Sequence, residues 1–318
     1  MDKSRPEVAP IAPLPFKLSD VRNAIPKHCF ERNLFNSLYY LAIDLTLIAI
    51  MGYMATYIGT DSVITIPENP YFNGSFTLPK GSEYILWPLY IVCQGCVMTG
   101  VWVLAHECGH QSFSASEFWN NFFGTILHSA LLVPYHSWRI THGRHHNNTG
   151  SCENDEVFAP STLGDWKDEA LRETPFAQAW GIFLMLTVGW MPGYLVFNAT
   201  GPAKYRGKNA NHFSPTAVFF EEKDYWLIVQ SDIAFFSAVG ALAYAIYTFG
   251  MFHVSMFYLL PLVIVNHNLV LITYLQHTAS YIPHYRGKEW NFLRGAVCTV
   301  DRSFGPLLNM VFHHITGK

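Results

Sequence analysis

The chain has 318 residues, of which 50% are hydrophobic, 16% aromatic and only 14% charged, with a formal net charge of −3. Soluble domains carry nearer to ~25% charged residues, so lipid is the expected solvent for much of this chain. The near-neutral balance offers no basic field to displace phosphate counterions, which excludes a nucleic-acid partner.

The opening "MDKSRPEVAPIAPLPFKLSD" lacks the apolar stretch of a cleavable signal peptide, and residues 1–37 are expected to form a cytosolic segment. Residues 38–59, "LYYLAIDLTLIAIMGYMATYIG", follow as a first span with one charge, Asp44. Residues 84–105 form a second with none, and 226–250 and 252–275 a third and fourth. Each meets the requirement of about 20 apolar residues to cross the hydrocarbon layer. Two weaker stretches lie between. Residues 118–134 are interrupted by Asn120, Asn121 and His128, and residues 177–199 by Gly189 and Pro192. Basic residues crowd the N-terminus (Lys3, Arg5, Lys17, Arg22, Lys27, Arg32) and the loops 135–176 and 200–225, where Lys167 and Arg172 are two of eight. The 60–83 loop holds only Lys80. The excess of basic residues in cytosolic loops predicts a multi-pass protein with both termini cytosolic and the 60–83 loop, with its Asn73-Gly74-Ser75 sequon, lumenal.

Of 15 histidines, three groups stand out. "HECGH" (His106, His110) ends the second span, and its i, i+4 spacing puts both rings on one helix face. "HGRHH" (His142, His145, His146) puts three rings on one face of a helix. His277, in "TYLQHTAS", ends the fourth span. If both weak segments crossed, "HGRHH" would face the opposite side from the other two groups, so these segments read as interfacial or re-entrant. The expected fold is all-α and integral to the membrane. Four transmembrane helices pair in two hairpins, with interfacial helices and a cytosolic histidine-lined metal cap, in one membrane domain over 38–318.

Five or six converging imidazoles are too many for one zinc ion, and haem uses only one or two axial ligands. Imidazole suits iron, and a pair of irons activating O₂ fits the number of rings. Such a centre can take hydrogen from an unactivated C–H bond, and the apolar surroundings suit an acyl chain. A seven-span zinc hydrolase would need one zinc and an odd number of spans, which the parity argument disfavours. Other features have plainer readings. "CQGC" (Cys93–Cys96) reads as core packing, and His267, beside Asn266 and Asn268, as a polar helix–helix contact. His128 and His136 read as interfacial, and His212 and His284 as loop residues, with a role in supporting the metal ligands as the alternative for these two. Glu107, Asp155 and Glu156 are either solvated charges or acceptors that fix ligand imidazoles. Asp44 and Asp232, charged within spans, are buried carboxylates or residues near span ends.

"HECGHQSF" followed by "PYHSWRITHGRHHNNTGSCENDEVF" closely resembles the membrane fatty acid desaturases, nearest their delta-12 (omega-6, oleate) branch. The resemblance continues through "ITYLQHT", "PHYRGKEWNFLRGAVCTVDRSFG" and "FHHIT", covering roughly 80–314. It implies O₂-dependent di-iron desaturation of a fatty acyl lipid, carried as phospholipid or acyl-CoA, in the endoplasmic reticulum membrane. It also implies electrons from cytochrome b5 and its NADH-dependent reductase. The family's metal ligands carry over to His106, His110, His142, His145 and His146, and His277 matches a further family histidine. Where the family has a second histidine after it, this chain has Ala279. The family continues past "FHNIT" to a third box, HVAHH, whereas this chain reads "FHHITGK" to Lys318. On that ground a chain lacking the third box is expected to hold little iron and to be inactive, the alternative to the desaturase reading. Acyl hydroxylase, epoxygenase and acetylenase chemistry use the same scaffold.

Overall fold

Asn33 opens the first long helix: its side-chain oxygen accepts from the backbone N–H of Phe35 at 2.9 Å and of Asn36 at 3.3 Å, the usual device for helix-terminal amides. In this computed structural model, which describes residues 11–60, 64–69, 72–159, 174–279 and 281–316, a short helix α1 (Leu18–Ala24) precedes it. The spans are α2 (Leu34–Ala55), α3 (Glu83–Gly109), α7 (Tyr225–Phe249) and α8 (Met251–His277). Between them lie α4 (Glu117–Ser129), α5 (Tyr135–Asn148) and α6 (Pro175–Val188), and α9 (Phe292–Ala296) and α10 (Pro306–Val311) follow. Among the described residues four helices are long and apolar enough to cross a membrane, as the sequence predicts. Their ends fall within a few residues of the expected bounds. Lys3, Arg5, Lys167 and Arg172 lie outside the described residues.

The 60–83 loop departs from the all-α expectation: β1 (Ile64–Asn69) and β2 (Phe72–Phe76) pair antiparallel, with Ile64 opposite Phe76. The β-branched and aromatic residues of "ITIPEN" and "FNGSF" suit such a ribbon. It lies away from the histidines in sequence and does not alter the helical bundle.

α3 is the central helix. Of its most apolar window 67% is buried, against 11% for α2, which faces outward. α8 packs along it, and Asn268 donates to Thr99 Oγ1 at 3.0 Å. The polar contact expected of His267 is therefore made by its neighbour. Gly250, at φ 83°, is the single residue between α7 and α8, a left-handed turn that favours glycine. Exposed aromatics stand near the span ends, Trp226 at one side and Tyr84 and Tyr247 at the other, and amphipathic rings of this kind suit the headgroup region.

The two weak segments are short helices. α4 has 13 residues and α6 has 14, well under a span. α4 enters the bundle and α5 leaves it. Tyr258, in the first half of α8, donates to the carbonyl of Ala130 at 2.8 Å, and Tyr135 donates to the carbonyl of Cys108 at 3.0 Å. This re-entrant hairpin corrects the reading of His128 and His136 as interfacial. Both are core residues, 0% and 4% exposed, because the turn joining the two helices is driven in against Trp102, Trp138 and Tyr135.

Candidate metal centre

Three helix ends deliver the histidines to one place. The last turn of α3 carries His106, and His110 caps it. α5, returning from the hairpin, presents His142, His145 and His146 on one face, and His277 is the last residue of α8. The shared face required by the parity argument is thus a contact.

Four of the rings form a tight group, His106, His110, His142 and His146, whose donor nitrogens all lie within 4.8 Å of one another. Nε2 of His142 is 2.8 Å from that of His106, 3.1 Å from that of His110 and 3.0 Å from that of His146. Nε2 atoms of His106 and His110 are 3.2 Å apart. Imidazole nitrogens bound at about 2.1 Å and at right angles around one ion stand about 3.0 Å apart. The spacing is that of ligands on a common cation. His145 and His277 form a second pole, with Nε2 atoms 3.4 Å apart. The His145 ring centroid lies 5.5 Å from that of His146.

Protonation states favour ligation. Burial and the neighbouring His106 ring hold His110 down to about 4, and burial with four surrounding imidazoles holds His142 well below its ordinary value. Neutral rings keep lone pairs, and hydrogen bonds choose which nitrogen carries the proton. His106 Nδ1 donates to Glu107 Oε1 at 3.1 Å, and Glu107 accepts in turn from Ser112 Oγ. His145 Nδ1 donates to Asp155 Oδ1 at 2.7 Å. Both leave Nε2 free to face the cluster. Asp155 is 1% exposed, and His145 holds its carboxyl below the usual range against the opposing effect of burial. Of the three acidic residues weighed for this task, Glu107 and Asp155 accept from the rings. Glu156 does not: it accepts from Tyr205 OH at 2.8 Å instead.

The sequence reading missed the platform beneath the rings. Trp138 stacks on His142 with centroids 4.4 Å apart at 18°, and Trp102 tilts against His106 at 5.4 Å. Each tryptophan precedes its histidine by four residues, a repeated one-turn spacing that marks the platform in the sequence. It also missed Thr141, which joins His212 Nε2 and Tyr194 OH, both at 2.9 Å, and so ties α5 to the 194–212 stretch. His212, read as a loop residue, is fully buried. Asp232 keeps one carboxylate oxygen buried without a partner, whereas Asp44 is paired with His313 at 2.7 Å.

A cavity of about 510 Å³ opens beside the rings, walled by Trp190, Met185, Leu269, Val270, Thr273 and Ile315 and touching both poles of the cluster. Its size is in the ordinary range for a small-molecule site.

A four-span helical membrane bundle with histidines grouped at spacings that suit bound metal, beside an apolar cavity, is a membrane-embedded metal-binding enzyme. A family model described as fatty acid desaturase matches residues 84–316, and one described as a domain of unknown function matches residues 1–55. The chain is 42% identical over 317 residues to a Delta(12) fatty acid desaturase of Mortierella alpina, covering 94% of this chain and 74% of that one. It is 43% identical over 304 residues to the omega-6 fatty acid desaturase, endoplasmic reticulum isozyme 1, of Glycine max (95% and 73%). A Delta(12)-fatty-acid desaturase of Arabidopsis thaliana is 42% identical over 308 residues (95% and 74%). The chain belongs to the fatty acid desaturase family.

Proposed function

We propose that this protein is a delta-12 desaturase that places a second double bond in an oleoyl chain held on a lipid, with its metal ligands drawn from His106, His110, His142, His145, His146 and His277. The observation that carries the reading is the contact between an apolar cavity and both poles of the histidine cluster. Two iron ions fit the donor set: four imidazoles at one pole, two at the other, each pole with a ring locked by a carboxylate. Once bound, iron with O₂ supplies the oxidising power to remove hydrogen from an unactivated methylene. The chain's own residues do the rest. Trp190, Leu269 and Val270 exclude water from the acyl methylenes, and Trp138 and Trp102 fix the ring planes of His142 and His106. Glu107 and Asp155 hold protons on Nδ1, so that Nε2 stays a donor to metal.

Electrons come, on this reading, from cytochrome b5 and its NADH-dependent reductase. The site is in the endoplasmic reticulum membrane, with the histidine face and both termini cytosolic. The orientation accords with the basic-residue asymmetry, and the membrane with the endoplasmic reticulum named for the Glycine max relative. Residues 1–37 form the cytosolic lead-in and 38–318 the membrane domain.

Expression in yeast, which makes oleate and no linoleate, tests the reaction: the expected product is 18:2 with the new bond at carbon 12. New 16:1 or 18:1 from saturated chains would move the protein to another regioselectivity. Thiol labelling of a cysteine placed near residue 150, at exposed Asn154, tests the orientation, because the proposal allows reaction from the cytosolic side only.

A further inference from the structure

Asp44 is the single charge in α2, and it is 3% exposed. A lone carboxylate within a span is costly unless it is paired. Its partner comes from the far end of the chain: Asp44 Oδ2 lies 2.7 Å from His313 Nε2, across 269 positions of sequence. The seat around them is closely fitted. The Tyr40 ring meets the His313 ring edge-on, with centroids 5.6 Å apart. On α3, Gly100 leaves the room: a Cβ there would stand 2.6 Å from the carbonyl oxygen of Val311 and 3.0 Å from Asp44 Oδ2. Gly100 is six residues before His106, so the C-terminal segment rests on the helix that carries the first histidine pair.

The segment is bent to reach this seat. His313 and His314 have φ of 49° and 56°, a left-handed conformation that non-glycine residues hold only when their surroundings impose it. The bend carries the chain from His313, on Asp44, to Ile315, which lines the cavity beside the metal centre and packs against the hydrophobic core. Thr316 then donates to the carbonyl of Arg302 at 2.6 Å, closing the segment behind Ile315. A single residue, His314, thus separates the buried Asp44–His313 contact from a cavity wall. A buried pair adds little net stability over an apolar substitute, yet removing one partner is strongly destabilising, which suits a position-fixing contact.

We propose that Asp44 is a positioning residue: through His313 it clasps residues 306–316 onto α2 and α3 and so holds Ile315 as a wall of the acyl cavity. The second half rests on the reading of that cavity as the acyl site. The first half needs only the clasp.

The test uses the full chain in lipid nanodiscs, with Cys29 and Cys93 replaced by serine and Ile315→Cys as reporter. Maleimide labelling of residue 315 is slow while the clasp holds. Asp44→Asn and His313→Gln each accelerate it by about tenfold or more, since either leaves a buried partner unpaired. Tryptic cleavage after Arg302 rises in parallel. The exchange Asp44→His with His313→Asp restores slow labelling, which a general loosening of the fold would not allow. If the single variants do not fold, a folded, slow-labelling exchanged pair supports the coupling on its own. Labelling unchanged in folded single variants, or an exchanged pair as fast as they are, overturns the clasp. Oleic acid added to the reporter chain slows labelling if the cavity takes an acyl chain. If oleic acid has no effect while the clasp variants still accelerate labelling, the acyl assignment falls, and with it the role of Ile315 as a substrate wall, and the clasp alone stands.

Discussion

Asp155→Asn is the sharpest test of how the metal centre is held. The carboxylate receives four hydrogen bonds. Oδ1 accepts from His145 Nδ1 at 2.7 Å, from Val157 N at 3.0 Å and from Phe158 N at 3.3 Å, and Oδ2 accepts from Gly150 N at 3.1 Å. An amide offers one oxygen and one NH₂ in the same space, so the NH₂ must face a donor whichever way it turns. Facing Gly150, it costs the 150–158 loop about 1–3 kcal/mol for an unsatisfied buried group. Facing His145, it reverses the tautomer, puts the proton on Nε2 and removes the lone pair that meets His277. Loss of a partner of this kind lowers metal affinity by about 10–100-fold, equivalent to about 1.4–2.7 kcal/mol. The assay is competitive titration of Fe(II) or Co(II) against a chromophoric chelator, on the full chain in nanodiscs. Asp155→Ala, which leaves His145 with no acceptor, should lose more. A folded Asp155→Ala protein that binds metal within about twofold of the unaltered chain would refute the assignment of His145 as a ligand oriented by Asp155.

Alanine at any one of His106, His110, His142 or His146 should remove most bound metal and all desaturation, with double variants no worse than single ones, because these rings act as a unit; metal content and 18:2 yield are the readouts. His128→Ala should behave differently. It opens a cavity among Trp102, Trp138 and Tyr135 and should cost about 2–4 kcal/mol of stability, read by thermal unfolding, with metal still bound. For pH, burial lowers His212 to about 4, against an ordinary 6.5. The unfolded chain therefore takes up the proton first. The stability His212 contributes is complete above pH 6.5 and is lost as pH falls from 6.5 towards 4, roughly 3 kcal/mol in all. His212→Gln should flatten the acid limb of apparent stability by about one proton, and curves that stay parallel would contradict the burial argument. Thr273→Trp should fill the cavity and abolish linoleate formation while leaving metal content unchanged, so a variant with full 18:2 yield would place the acyl chain elsewhere.

Much of the architecture follows from the order of residues alone. Four apolar runs of span length must become helices, because lipid leaves backbone amides no other partners. Two histidine pairs at i, i+4, and a third group at a span end, then lie at one face of the membrane if the number of crossings between them is even. That parity rests on counting, and the packing of the helices then brings His106, His110 and His142 to distances of 2.8–3.2 Å. The order of residues also marks Glu107 and Asp155 as neighbours of the rings.

What it does not determine are contacts made by residues distant in the chain and similar in type. His128 and His136 look like interfacial histidines until the α4–α5 hairpin turns inward and buries both rings. Glu156 and Asp155 are adjacent and alike, yet the turn after Gly150 aims one at His145 and the other at Tyr205. Asp44 has no partner within reach along α2, and only the packing of residues 306–316 against Gly100 supplies His313. Helix formation is settled by local periodicity and by the solvent. Pairing of single side chains across 100 or more positions is settled by which surfaces pack once the helices have formed, and that depends on the shapes of all of them together.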